Sequence, residues 1–247
     1  MTPVQLLIIN PNTSQSVSKL LQTHTQQAAG SSVRVRTVTA RFGAPYIACE
    51  ASYAVAGHAV LDAWAAALAQ DEPPPDAVLI GCFGDPGLLA LRESSAAPVT
   101  GLAEAAFTEA ARHGQFAIVT GGQRWQPMLE RLAQMLGYGA ALAGIHTVAP
   151  TGAQLAQDPV AAQLLLAQAC RDATRTFNAQ AIILGGAGLA GMAAAIQPQV
   201  DVPVIDSVLA GTRQALLLAG VTQHGRLNRF DVQWQRLSPE LTALGNG

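Results

Sequence analysis

Two stretches of this chain set reactive or permissive residues at the end of a run of branched apolar residues. One is "VLIGCFGDPG" at 78–87; the other is "AIILGGAGLAG" at 181–191. They read like copies, but Cys82 follows Gly81 in the first, and Gly186 stands at the matching place in the second. A thiol that ends a strand and leads into "DPGLLALRE", which reads as a helix start, has its thiolate favoured by exposed N–H groups and the helix dipole. Its pKa is then expected below the free value of ~8.5, which makes Cys82 a candidate base or nucleophile. Phe83 beside it, and Gly186, Ala187 and Gly188 in the second copy, are expected to touch a ligand. Glycines there leave backbone N–H groups open to an anion or enolate, because no Cβ obstructs approach.

Other polar groups cluster at strand ends. "NPNTS" at 10–14 offers Asn12, Thr13 and Ser14 at a helix start, a turn suited to a carboxylate or ring carbonyl oxygen. Thr120 with Gly121 supplies a comparable set of donors further along the chain. Asp85 either orients a ligand amide or starts the turn before Pro86, and Asp206 reads as a helix N-cap. Of the remaining cysteines, Cys170 sits at an apolar helical position and reads as core. Cys49 lies in a loop with no activating neighbour in view. His58 and His146 read as structural, and no cluster of His, Asp and Glu has metal spacing. Neither glycine elbow is followed by the acidic residue about 20 positions on that a dinucleotide fingerprint requires.

Composition narrows the classes. Of 247 residues, 50% are hydrophobic and 12% charged, which allows a large core and excludes disorder. A net charge of −2 gives no polycation for nucleic acid and no basic stripe for a membrane surface. Lys19 is the only lysine, in a polar segment, so Schiff-base chemistry is disfavoured. The 3 cysteines lack the paired spacing of a disulfide framework or zinc ribbon. No apolar run is long enough to span a bilayer and the first residues do not read as a signal peptide, so a soluble cytoplasmic protein is expected.

The elements that must position these residues alternate. Strands are expected at 4–10, 33–39, 77–81, 97–102, 115–120, 140–146, 180–186 and 202–207. Helices are expected after "NPNTS" and at 51–70, 103–113, 124–136, 160–177 and 208–219; the tail after Gly220 reads as loosely packed. Such alternation specifies a mostly parallel sheet with helices on both faces and ligands at the carboxyl ends of strands. The order of the loops suggests an internal repeat: 70 positions separate Asn12 from Cys82, and 66 separate Thr120 from Gly186.

"INPNTS", "GCFGDPGL" at 81–88, "GLAEAA" at 101–106, "FAIVT" at 116–120 and "VPVIDS" at 202–207 occur in order, with "GAPYIACEASYA" at 43–54 as a looser match. On these motifs, over nearly its whole length, the chain resembles the aspartate/glutamate/hydantoin racemase superfamily, most closely its hydantoin and allantoin racemase branch. The resemblance implies an α/β fold of two pseudo-symmetric half-domains, 1–98 with 206–247 and 99–205, with the site in the cleft between them. It implies a cofactor-independent enzyme of homo-oligomeric habit acting on a small molecule, a hydantoin-like cyclic ureide or related α-carboxylate. It further implies two cysteines on opposite faces of a planar carbanion, Cys82 being the first. The second would stand at Gly186, where this chain has no side chain. A single thiol leaves several outcomes open. These are racemisation with a substitute acid, one-sided protonation after decarboxylation, addition to an electron-poor carbon, attack on a (thio)carbonyl, and ligand binding without turnover.

Overall fold

Runs of Val, Ile and Leu become strands and alanine-rich amphipathic runs become helices, in strict alternation. The computed structural model describes residues 3–149, 154, 158–221 and 228–245. The first part runs β1 (Val4–Asn10), α1 (Gln15–Ala29), β2 (Val33–Thr39), α2 (Glu50–Leu68), β3 (Ala77–Ile80), α3 (Leu88–Ser94), β4 (Val99–Gly101) and α4 (Leu102–Ala110). The second runs β5 (Phe116–Gly121), α5 (Trp125–Met135), β6 (Leu142–Val148), α6 (Pro159–Phe177), β7 (Ala181–Gly185), α7 (Met192–Ile196) and β8 (Val204–Asp206). Helices α8 (Ser207–Ala219) and α9 (Pro239–Ala243) follow.

The strands form two four-stranded parallel sheets of identical topology, β2-β1-β3-β4 and β6-β5-β7-β8. Each first strand of a half thus lies inside its sheet, and each glycine elbow follows the third. The repeat in the sequence is a repeat in the fold. Residues 99–101, assigned by the sequence reading to the second half, pair with β3 instead and close the first sheet. The inner strands are buried, apart from the first two residues of β1, which is why they read as apolar runs. One apolar cluster passes from sheet to sheet through Leu79, Phe83, Leu102, Phe107, Phe116 and Ile183. Within it Phe107 stacks on Phe116 at 5.6 Å and meets Phe83 edge-on at 6.2 Å. The loop after β3 is therefore wedged against the second half by rings, and aromatic pairs of this kind add about 0.5–1.5 kcal/mol beyond burial.

The tail departs from expectation. Residues 222–227 and 246–247 lie outside the described residues, but 228–245 pack firmly on α2. Phe230 meets Trp64 edge-on at 5.8 Å and Trp234 at 5.5 Å, and Leu241 of α9 is buried. The sequence hides this because the apolar residues of the tail are few and have no clear period. Arg41 locks the strap: it donates to buried Asp62 on α2 at 2.7 and 2.9 Å and to Glu240 on α9 at 3.0 Å. Burial pushes the Asp62 carboxyl up, yet the hydrogen bonds from Arg41 and Ser238 and the Arg41 charge outweigh it, so the carboxyl sits below its ordinary value.

Removing the cation leaves a buried carboxylate short of donors, a change worth about 1–3 kcal/mol. Arg41→Ala is expected to lower unfolding stability by that amount at neutral pH in urea titrations. A depressed carboxylate pKa gives stability that is present above the unfolded value and lost as pH falls through the folded one. The gap between wild type and variant should therefore close in acid.

Candidate active site

The first wall of the site is assembled at the end of β1. Asn10, fully buried, donates through Nδ2 to Asn12 Oδ1 (3.0 Å), the Ser14 carbonyl (3.1 Å) and Ser18 Oγ (2.9 Å). Asn12 Oδ1 also accepts the Ser14 backbone N–H at 2.9 Å. The backbone donor fixes the amide's orientation, so the end of Asn12 left to the pocket is its NH₂. Thr13 and Ser14 do other work. The Thr13 N–H donates to the Ala44 carbonyl at 3.1 Å, and Ser14 Oγ caps α1 by accepting from the Val17 N–H at 3.4 Å. Neither lines the pocket, contrary to the sequence reading.

Gly81 ends β3 by donating to the Ile9 carbonyl at 2.8 Å, and a Cβ there would press on Leu21 at 2.6 Å. Cys82 follows at the pocket floor, 8% exposed. Helix α3 begins only at Leu88, so Cys82 is not at a helix N-terminus as expected. Asp85 folds back instead. Its carboxylate accepts the backbone N–H groups of Ala103 (2.9 Å) and Glu104 (2.8 Å), capping α4. This is why Gly101 is glycine: a Cβ there would overlap the Asp85 carboxyl group. Asp85 adopts φ 51°, a strained conformation for a non-glycine residue, held by those bonds. Both oxygens are spent on the helix, and Asp85 does not line the pocket. Its carboxylate serves the start of α4.

The opposite wall comes from the second sheet. Thr120 Oγ1 donates to the Gly185 carbonyl at 2.8 Å, joining the ends of β5 and β7. Gly185 has no Cβ because the Phe83 ring occupies that space. The Gly186 N–H, expected to be open to a ligand, donates to Ser207 Oγ at 3.2 Å. Gly121, Gly186, Ala187 and Gly188 complete this wall. A Cβ at Gly186 would find room, with Leu189 at 3.6 Å, but the backbone has φ 142°, which L side chains rarely adopt. The elbow has thus settled into a glycine conformation. Asp206 fastens it from the other direction, accepting the Gly191 N–H at 2.7 Å and the Val208 and Leu209 N–H groups of α8. In each half a buried aspartate ties the elbow to a helix N-terminus. In the first it lies in the elbow, and in the second at the helix cap.

Pro45, Tyr46, Ile47, Val17 and Trp125 also line the pocket and were missed in the sequence. The signal was the 43–54 motif, whose first part forms the pocket edge while Tyr53 donates to the Gly84 carbonyl at 2.8 Å. Gly84 in turn leaves space for the Trp125 ring. His58 stacks edge-on against Phe42 at 4.9 Å, and neither it nor His146 lines the pocket. Cys170 is fully buried. Among the described residues no His, Cys, Asp and Glu group could hold a metal ion, and no helix is long and apolar enough to cross a membrane.

A family model for Asp/Glu/Hydantoin racemase matches residues 6–215. The hydantoin racemase of Pseudomonas sp. (strain NS671) is 32% identical over 213 residues, 86% of this chain and 84% of that protein. Among solved structures, allantoin racemase from Klebsiella pneumoniae superposes with a TM-score of 0.85 at 30% identity, covering 99% of this chain and 100% of that one. Allantoin racemase from Pseudomonas fluorescens gives 0.82 at 28% identity over 90% and 95% of the two chains. The chain belongs to the Asp/Glu/hydantoin racemase family.

The electrostatics of this racemase-family site reverse the expectation for its thiol. Burial, and then the charge of Asp85, push the Cys82 thiol above its ordinary range. Burial likewise raises the Asp85 carboxyl to about 7, against the pull of its backbone donors. Cys49, read as unactivated, is the N-cap of α2. Hydrogen bonds from the Ser52 side chain and backbone lower its thiol pKa, with the Ala51 N–H and the Arg124 charge adding to them.

Two outcomes follow. With iodoacetamide at neutral pH, peptide mapping by mass spectrometry should find Cys49 labelled well before Cys82, because only the thiolate attacks. Asp85→Asn, which replaces an acceptor by a donor facing the α4 N–H groups, should cost about 1–3 kcal/mol of stability in urea titrations.

Proposed function

We propose that this chain is a cofactor-independent isomerase acting at the carbon next to a carbonyl in a hydantoin-like cyclic ureide, with Cys82 moving the proton on one face. The observation that carries this reading is the character of the pocket. Cys82 is the one thiol in it, and no lysine, arginine or histidine lines it among the described residues. A substrate carboxylate would meet no cation there, whereas a neutral planar ring suits walls made by Ile47, Phe83, Trp125 and Ala187. The Asn12 NH₂ supplies a donor for a ring carbonyl, where negative charge gathers as the C–H proton leaves. The hydantoin racemase and allantoin racemase relatives act, by name, on rings of this class.

Catalysis begins from a thiol held neutral. Abstraction requires its thiolate, so the fraction of competent protein grows with pH towards the raised pKa. A positioned acid or base contributes about 10²–10⁴-fold, and Cys82→Ser should lose that factor in loss of optical rotation of a 5-substituted hydantoin. In wild type the rate, corrected for the protein-free reaction, should climb from roughly pH 7 to pH 9. A plateau already reached at neutral pH would contradict the proposed thiol state.

The same neutral thiol supports a second reading, in which Cys82 protonates one face of a carbanion left by decarboxylation. Carbon dioxide release from a malonate-type substrate, without interconversion of hydantoin enantiomers, would favour it.

A further inference from the structure

Among the described residues whose side chains line the pocket, two are ionisable: Cys82 and Tyr46. They come from different segments. Cys82 follows β3 in the first sheet, while Tyr46, from the segment between β2 and α2, reaches across the cleft. Its hydroxyl donates to the Gly121 carbonyl at the end of β5, at 3.3 Å. Gly121 follows Thr120, which is the register partner of Gly185, so the phenol meets the strand beside the one that carries Gly186. Neighbouring strands lie about 4.8 Å apart. At 3.3 Å this bond is longer than the usual O–H···O contact, whose mode is near ~2.7–2.8 Å. The half-buried phenol thus lines the same pocket as Gly186, where the resemblance would put a second thiol.

Resting on the isomerase reading above, we propose that Tyr46 is the second proton-transfer residue, serving the substrate face turned away from Cys82. In one direction the Cys82 thiolate takes the hydrogen as a proton. An S–H bond forms and the C–H electron pair becomes the enolate. The Tyr46 O–H then gives its proton to the opposite face; the new C–H bond forms and the O–H pair remains on the phenolate. Solvent water carries a proton from the Cys82 thiol to the phenolate and restores the starting state. The reverse direction uses the same groups in exchanged roles. Inversion is thus shared between a thiol and a phenol, and Gly186 leaves room for the ring substituent.

The test is Tyr46→Phe, a change that removes one hydroxyl from a half-buried loop side chain, with circular dichroism to verify the fold. Each enantiomer of a 5-substituted hydantoin is incubated in D₂O and followed by proton NMR and optical rotation. Wild type is expected to take up deuterium from both enantiomers while rotation is lost. Tyr46→Phe should retain exchange, with configuration kept, for the enantiomer whose hydrogen faces Cys82. Interconversion should fall about 10²–10⁴-fold through kcat rather than KM. Interconversion at the wild-type rate, or a change confined to KM, would overturn the role. Wild-type exchange of one enantiomer with rotation retained would overturn it too, while leaving Cys82 in place. Exchange of neither enantiomer by wild type would remove the isomerase reading itself.

Discussion

The buried carboxylate of Asp85 is the constraint on which the site depends. It satisfies two backbone N–H groups at the start of α4 that would otherwise lack partners, and burying such groups unpaired is costly. To reach them the elbow must turn through a left-handed residue, and Gly101 must surrender its side chain. Those two requirements set the course of "GCFGDPG" and so place Cys82 at the pocket floor. The same charge, in the same buried surroundings, opposes ionisation of the thiol. Asp85 therefore helps fix where the thiol is and, second to burial itself, the state in which it waits.

The two halves solve a shared problem with different parts. Each sheet ends in a glycine elbow tied to a helix N-terminus by an aspartate, Asp85 in one and Asp206 in the other. Each elbow is shaped to pass close to its neighbours, with rings standing where a Cβ would be at Gly84 and Gly185. Chemistry has not followed the symmetry. The first elbow presents a thiol; the second presents bare backbone in a conformation that a cysteine would adopt only under strain, about 1–3 kcal/mol for such a site. The glycine at 186 is built into its loop, so the second wall must draw its polar chemistry from other segments.

Much of the architecture was legible in the chain because inner parallel strands are buried on both faces and read as apolar runs. The strand ranges 4–10 and 33–39 coincide with the structure, and the two elbows mark the corresponding ends of β3 and β7. Three matters were not legible. The three-residue strand β4 looks like a lead into the second half, and its pairing with β3 is a tertiary fact. Burial of the tail rests on isolated residues, Phe230, Trp234 and Leu241, with no period to announce them. The state of each cysteine depends on folded neighbours: Cys82 is raised by burial and Asp85, whereas Cys49 is lowered by Ser52. Tyr46 belongs to the same class, since its hydroxyl reaches Gly121 across 75 positions of sequence.

The most direct measurement of the central claim is the ionisation of Cys82 itself. Cysteine labelled with carbon-13 at Cβ, followed by NMR across a pH titration, reports each thiol separately, with Cys→Ser variants to assign the signals. The account predicts that Cys82 remains a thiol at pH values where Cys49 has already ionised, and that Asp85→Asn moves the Cys82 transition to lower pH. A Cys82 signal that titrates at or below the ordinary thiol range of about 8.5 would contradict it.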